Sequence, residues 1–159
     1  MSTSSPDSTL ERDPAGLFLT PAGRQRLAAR RAELETLART LLDRLADGNA
    51  DEITAVTYGR ASKEIVRLTA ALEGARSVEE LTPDPRCVVL GDTVAVYFPD
   101  GEASRYVIVD PLEAPFDDRR ISSDSPLGRA LLGRHVGEVV EVEAPGGRYR
   151  CRIESAERR

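Results

Sequence analysis

The chain has 159 residues, of which 40% are hydrophobic and only 4% aromatic, and it carries a formal net charge of −5 at pH 7. This length fits one ordinary domain or two small ones, and the scarcity of aromatic residues favours narrow helical seams and thin strands over one large core. The acidic balance excludes the strongly basic face of a free nucleic-acid-binding domain. No apolar run approaches the roughly 20 residues that span a membrane. We therefore expect a soluble, cytoplasmic protein with no membrane partner.

The residue types that hold metals or form disulfides are rare. Cys87 and Cys151 stand far apart in apolar, strand-like runs, and His135 is the one histidine. Small buried thiols in a reducing compartment are the favoured interpretation over a disulfide. A zinc site is hard to build without a Cys-x-x-Cys pair. We expect no stably bound cofactor.

The first ordered element is a long helix. Residues 1–18 are rich in Ser, Thr, Pro and Asp, and such a composition predicts a disordered tail. Thr20 is placed as an N-cap and Pro21 as the first helical residue, so we predict a helix over about 20–46. Its apolar seam follows a repeat of seven with intermediate positions, at Leu27, Leu34, Leu37, Leu41 and Leu45.

A second helix follows after a very short turn. Gly48 is suited to end the first helix in a left-handed conformation, and Asn49 to cap the next one, which runs to about Ala75. Two long helices joined by so short a turn must lie antiparallel. The sequence therefore predicts an antiparallel coiled-coil hairpin over 19–76, with its tip near 46–52.

The tip is acidic, and the acids have two interpretations. Asn49 and Glu52 have the spacing of a capping box, Asp51 suits the positive end of the helix dipole, and Asp47 suits a turn beside Gly48. In the second interpretation Asp47, Asp51 and Glu52 help to position a metal ion. The two interpretations are compatible, since a capped turn at the end of a rod still presents its carboxylates.

The pattern changes after a proline-stiffened linker over 77–85. Strands are predicted where the apolar period becomes two, at 87–98, 104–110, 138–143 and around 149–153. One short helix is predicted between them, capped by Ser125, starting at Pro126 and stopped by Gly133. The fold class is therefore α+β, with the helical hairpin followed by a small antiparallel β domain over 86–159 that carries one short helix.

Three stretches resemble the Gre family of bacterial transcript cleavage factors. They are "FLTPAGRQRL" (18–27), "ISSDSPLGRALLG" (121–133) and "VGEVVEVEAPGGRYRCRIESA" (136–156). The resemblance implies a coiled coil followed by an FKBP-like C-terminal domain. It also implies a monomer that binds bacterial RNA polymerase at the rim of its secondary channel and meets the nascent RNA 3′ end only within that complex.

The resemblance also assigns a polymerase-binding loop before the short helix. It maps onto Asp124, Ser125, Pro126 and Leu127. Ser125 and Pro126 are equally what an ordinary helix start needs, whereas Asp124 is not required for the cap.

In the cleavage factors an Asp and a Glu three residues apart at the tip help to hold a second Mg²⁺ at the polymerase active site. This sequence departs from that spacing, because Asp47 is followed by Ala50 and Asp51 by Thr54. Asp47, Asp51 and Glu52 remain the candidate catalytic and metal-binding residues. The chain is then either a stimulator of transcript cleavage or a non-cleaving inhibitor or modulator. In neither case is it an enzyme itself, and at most it is a co-catalyst of the polymerase.

Two other functions stay open. A coiled-coil adaptor would dimerise through the hairpin, and its mass in solution would reveal it. A prolyl isomerase would need an aromatic-lined apolar pocket. The aromatic residues that the β region and its approach offer are Tyr97, Phe98, Tyr106, Phe116 and Tyr149.

Overall fold

A computed structural model describes residues 16–81 and 86–158. The helices are α1 (Pro21–Ala46), α2 (Glu52–Gly74) and α3 (Pro126–Leu131). The strands are β1 (Phe18–Leu19), β2 (Arg76–Ser77), β3 (Thr93–Tyr97), β4 (Ala103–Val109), β5 (Arg120–Ser122), β6 (Val139–Ala144) and β7 (Gly147–Glu157). The predicted fold class is confirmed, since a helical hairpin is followed by a largely antiparallel β domain with one short helix.

Helix α1 begins where local chemistry predicts it. The Thr20 hydroxyl accepts a hydrogen bond of 2.9 Å from the Gly23 N–H, and Pro21 occupies the first turn, where its missing N–H has no partner to lose. The helix has 26 residues, so it is about 39 Å long.

The seam between α1 and α2 is apolar over most of its length, and the polar residue Thr54 is buried near the tip. Leu27, Leu34 and Leu41 are buried on α1, and Ala61 and Leu68 are buried on α2. The predicted heptad positions are therefore confirmed at these residues. One intermediate position is wrong, because Leu37 is 42% exposed while its neighbour Ala38 packs against the cluster.

The turn at the hairpin tip differs from the prediction in its second half. Asp47 caps the end of α1, and Gly48 has a φ of 70°, which confirms its left-handed role. Asn49 is not the N-cap of α2 and the predicted capping box to Glu52 is wrong. Asp51 takes that position, because its carboxylate bonds Thr54 and the helix begins at Glu52.

The open end of the hairpin is closed by a short parallel strand pair that the sequence did not predict. Phe18 pairs with Arg76 and Leu19 with Ser77. Residues 1–15 of the predicted tail lie outside the described residues, and Phe18, placed in that tail, belongs to β1. Arg24 adds a second tie, since its guanidinium donates to the carbonyl oxygens of Leu72 and Ala75 at 2.9 and 2.6 Å.

The β domain contains one five-stranded sheet in the order β5-β4-β3-β7-β6. All neighbours are antiparallel except β4 and β5. Helix α3 closes the core, where its Leu131 is fully buried together with Val88, Val94, Val96, Ile108, Val142 and Ile153. The core is built from β-branched and aliphatic side chains, as the low aromatic content predicts.

Two strand predictions in this domain need correction. The strand predicted over 87–98 is regular only in β3, because Gly91 has a φ of 91° and the Asp92 carboxylate accepts a hydrogen bond from the Val89 N–H. This turn ends any extended run before residue 93. Strand β5 was not predicted, since three residues are too few to show an alternating pattern.

Part of the predicted linker over 77–85 is described. Val78–Glu80 form one 3-10 turn capped by Ser77, while residues 82–85 lie outside the described residues. The domain boundary drawn there stays a prediction. Cys151 is a buried free thiol, as expected, whereas Cys87 is a free thiol that is only partly buried. Across 16–81 and 86–158, every helix is too short or too polar to cross a bilayer.

Candidate functional site

The candidate residues fall into two groups at opposite ends of α1. Asp47, Asp51 and Glu52 lie at the hairpin tip, and the loop Asp124–Leu127 lies in the β domain, which contacts the first turn of α1. Helix α1, which is about 39 Å long, lies between the two groups. A single compact site formed by both groups is therefore excluded by the fold.

At the tip, Asp51 is tied to its own helix. Its Oδ1 atom accepts hydrogen bonds from the N–H and the hydroxyl of Thr54, at 2.9 and 2.6 Å. These bonds hold the pKa of Asp51 below its usual value of 3.8, and the bond from the Thr54 hydroxyl has the larger effect of the two. Arg44 adds a smaller electrostatic effect in the same direction. Asp51 therefore stays ionised at neutral pH, with one oxygen committed to capping.

Asp47 and Glu52 are exposed on either side of this cap. The three tip carboxylates do not form a preorganised metal centre, since no three His, Cys, Asp or Glu side chains converge anywhere in the described ranges. Mg²⁺ binds with one or two protein carboxylates and otherwise keeps its waters. Any metal at this tip would have to be held mainly by another molecule.

An apolar strip on α2 borders the tip, and sequence reasoning missed it. Ile53 is 74% exposed and Val56 is 48% exposed, and with Glu52, Thr57 and Arg60 they line a shallow depression. Positions 53, 56, 57 and 60 share one face of a helix, and this face is offset from the buried seam at Thr54 and Ala61. The sequence shows this strip as apolar residues at helical spacing that do not fall on the buried face of α2.

The loop before α3 is held by short-range hydrogen bonds. The Ser125 hydroxyl accepts from the Gly128 N–H at 3.0 Å and donates to the Ser122 carbonyl oxygen at 2.7 Å. A side chain on Gly128 would overlap that carbonyl oxygen. Ser125 therefore caps α3 and fixes the loop at once, as the helix-start interpretation requires.

The other candidate residues of this loop divide into surface and core. Asp124 and Pro126 are exposed, and the Asp124 N–H donates to the Ser122 hydroxyl at 3.1 Å. Leu127 packs against the core of the β domain. Asp124 and Pro126 thus lie on the surface, while Leu127 attaches the loop to the core.

A third cluster, which we call the base node, was not predicted. It comprises Thr20, Gly23, Glu113 and Arg120, and its centre is the fully buried carboxylate of Glu113. Glu113 accepts from the N–H and the hydroxyl of Thr20 at 2.7 and 2.6 Å, and from Arg120 Nη1 at 2.8 Å. Nothing in the stretch around Glu113 distinguishes it from a surface carboxylate, whereas Gly23, inside a helix start, is a signal of close approach.

The aromatic residues of the β domain and its approach contact different parts of the molecule. Phe98 and Tyr106 pack against the core of the β domain, whereas Phe116 packs against the hairpin cluster. The Tyr97 ring lies under the Arg152 guanidinium at 5.8 Å. The Phe98 and Tyr149 rings lie close together, with centroids 6.0 Å apart, so the prolyl isomerase alternative stays a hypothesis.

Comparison with known proteins gives one consistent family. The family profile described as transcription elongation factor, GreA/GreB, C-term, matches residues 83–158. The chain is 38% identical over 117 residues to the transcription elongation factor GreA of Thermotoga neapolitana, covering 73% of this chain and 74% of the relative. It is 33% identical over 147 residues to GreA of Thermomicrobium roseum, covering 84% and 94% respectively. The crystal structure of GreA factor homolog 1 of Thermus thermophilus aligns with 28% identity over 89% of this chain and 99% of that chain, with a TM-score of 0.40.

Proposed function

Because the chain belongs to the GreA/GreB family of transcription elongation factors, we propose that it binds bacterial RNA polymerase in the cytoplasm and inserts its hairpin into the secondary channel. The β domain stays at the rim of the channel and contacts it through the loop Asp124–Leu127. The tip reaches toward the active centre and the RNA 3′ end. The polymerase remains the enzyme in this complex.

The observation that supports insertion is the shape of the hairpin. Two helices of 26 and 23 residues pack along a continuous seam, and they end in a turn of five residues, 47–51, with a cap on each side. A single helix with side chains is about 10–12 Å across, so the pair makes a narrow rod about 39 Å long. Such a rod suits a deep, narrow channel better than a flat surface.

We further propose that the tip occupies the channel and modulates elongation without stimulating cleavage. Oδ1 of Asp51 accepts the cap hydrogen bonds of α2. The residue three positions after Asp51 is Thr54, not a glutamate. Thr54 is itself buried against the hairpin seam and serves the cap. The position that a second metal-positioning carboxylate would take is therefore used for helix stability.

A second candidate, stimulation of transcript cleavage, is favoured by one specific observation. Asp47, Asp51 and Glu52 are all exposed at the very end of the rod, and Oδ2 of Asp51 makes none of the cap hydrogen bonds. These carboxylates would share a Mg²⁺ that the polymerase also holds. The ion supplies hydrolysis chemistry when bound, and the chain would supply negative charge near it.

One experiment separates the two candidates. Stalled, backtracked polymerase complexes are incubated with Mg²⁺ and either the intact chain or a variant with Asp47→Asn, Asp51→Asn and Glu52→Gln. These changes remove charge, and asparagine keeps the cap of α2. Altered elongation without shortened transcripts, from both proteins, is expected. Shortened transcripts from the intact chain alone would favour cleavage, and no effect of the intact chain on elongation would contradict the proposal.

A further inference from the structure

We infer that Glu113 is a positioning residue, which fixes the direction of the hairpin relative to the polymerase-binding loop. Glu113 belongs to the connection between β4 and β5, yet its carboxylate completes the N-terminal cap of α1, 93 positions earlier in the chain. The functional half of this inference rests on the proposed insertion into RNA polymerase. The structural half depends only on the described contacts.

The carboxylate of Glu113 serves both units at once. Its Oε1 atom accepts from the Thr20 N–H, and its Oε2 atom accepts from the Thr20 hydroxyl and from Arg120. The same Thr20 hydroxyl accepts from the Gly23 N–H, inside the first turn of α1. An ionised carboxylate is the one side-chain group that accepts from all these donors, and negative charge at this end of a helix is favourable.

The base node is closely packed, so Glu113 fits only against a glycine at position 23. Glu113 is 0% exposed, and a Cβ on Gly23 would overlap its carboxylate. Beside the node, Leu112 and Phe116 pack against the hairpin cluster, and the Arg26 guanidinium lies 5.8 Å from the centre of the Phe116 ring. The connection between β4 and β5 is therefore seated on α1 by polar and apolar contacts together.

The node leads directly to the polymerase-binding loop. Arg120 starts β5, which ends at Ser122, and Ser122 holds the loop through its carbonyl oxygen and its hydroxyl. A chain of named contacts thus runs from the first turn of α1 through Glu113, Arg120 and Ser122 to Asp124. The base node, which fixes the direction of the hairpin, therefore includes Arg120 on the same short strand, β5, that leads into the loop.

The length of the hairpin amplifies any error at its base. A tilt of about 10° at one end of a rod about 39 Å long displaces the other end by about 7 Å. This displacement exceeds half the width of one helix, which is about 10–12 Å with its side chains, so it would change what the tip contacts inside a narrow channel. The base node therefore serves to fix the direction in which the hairpin points.

Gly23 provides a test with a matched control. Alanine stabilises a helix interior relative to glycine, so Gly23→Ala would strengthen an unattached hairpin. At the base node the added methyl group must displace Glu113. Gly59→Ala makes the same chemical change in α2, where nothing lies within 4 Å of the added atom. Glu113→Gln removes the charge and replaces one acceptor oxygen by an NH₂ group, which leaves at least one donor unpaired.

The orientation is measured without polymerase, on the full chain. Nitroxide labels are placed at the exposed positions Asn49 and Val139, after Cys87→Ser and Cys151→Val, and pulsed electron resonance gives the distance distribution between them. We expect Gly23→Ala and Glu113→Gln to shift or broaden this distribution by about 5 Å or more, as a tilt near 10° would. Gly59→Ala should leave it unchanged. Because both substitutions act on the base node, the double variant should shift or broaden the distribution no more than the more severe single variant does.

The same proteins are then titrated into elongating polymerase. Gly23→Ala and Glu113→Gln should lose the effect of the intact chain on elongation, whereas Gly59→Ala should keep it. An unchanged, narrow distance distribution in Gly23→Ala would overturn the structural inference. A shifted distribution with an undiminished effect on elongation would overturn the positioning role. If the intact chain has no effect on polymerase, the proposed function fails, and the distance distributions still decide the inference about the node.

Discussion

The Thr54 hydroxyl lies 2.6 Å from Oδ1 of Asp51, and the Thr54 N–H lies 2.9 Å from the same atom. The most constrained carboxylate of the tip is therefore also the N-cap of α2. Charge and cap coincide in one side chain, so an alanine substitution there changes both together. Substitutions that separate charge from capping are needed to assign a role to Asp51.

Asp51→Asn and Asp51→Ala are expected to differ. Asparagine and aspartate cap helices about equally well, whereas alanine leaves the Thr54 N–H without its partner. We predict that Asp51→Ala lowers the midpoint temperature of unfolding and that Asp51→Asn lowers it much less, as measured by circular dichroism at neutral pH. Equal losses in the two variants would show that Asp51 acts through its charge and not through the cap.

The contribution of Asp51 should depend on pH. Its folded pKa lies below its usual value of 3.8, because the folded state bonds the ionised form. The stabilisation is therefore fully present above the unfolded pKa and is lost as the pH falls through the folded pKa. We expect the stability difference between the intact chain and Asp51→Asn to be constant above about pH 5 and to shrink below pH 3.8. Urea unfolding across this range measures it, and a difference that grows toward acid would contradict the assignment.

The seam of the hairpin should carry much of its stability. Leu68 is 4% exposed, so Leu68→Ala removes a buried isobutyl group and should cost about 2–5 kcal/mol of unfolding free energy. Val66, two residues earlier on the same helix, is 68% exposed. Val66→Ala should change the unfolding free energy by no more than about 0.5 kcal/mol. Similar costs for both substitutions in urea unfolding would mean that the helices do not pack along this face.

Two substitutions in the loop before α3 separate binding to polymerase from capping of the helix. Ser125→Ala removes the cap and the bond to the Ser122 carbonyl oxygen, and should cost about 1 kcal/mol of unfolding free energy. The Asp124 side chain is exposed, so Asp124→Ala should cost less stability and should weaken binding to polymerase more. Binding is measured by titration against immobilised polymerase, with urea unfolding of each variant alongside. Asp124→Ala with undiminished binding would leave the loop as a helix start only.

The elements that the sequence predicted well are those whose causes are local. Thr20 and Pro21 determine the start of α1 within one turn, and Ser125 and Pro126 do the same for α3. The repeat of Leu27, Leu34 and Leu41 was sufficient to predict the seam. In each case the residues that decide the structure lie within a few turns of one another.

The features that were missed depend on distant partners or on close competitors. Glu113 is recognised as a cap only when the fold brings it to Thr20, 93 positions away. The pair β1–β2 joins two-residue segments that carry no periodicity of their own. At the tip, Asn49 and Asp51 are both good N-caps two residues apart, and the choice depends on which side chain reaches a free N–H.

Insertion of the tip into the polymerase can be tested by photo-crosslinking. A benzophenone amino acid replaces Asn49 at the exposed tip, and in a second protein it replaces Glu143, which is exposed on β6 of the β domain. Both are irradiated in complex with elongating polymerase. We expect the tip probe to crosslink to polymerase segments around the active centre and to RNA near its 3′ end, and the β6 probe to crosslink to neither. Crosslinks from the tip probe that are confined to the outer surface of a bound polymerase would contradict it.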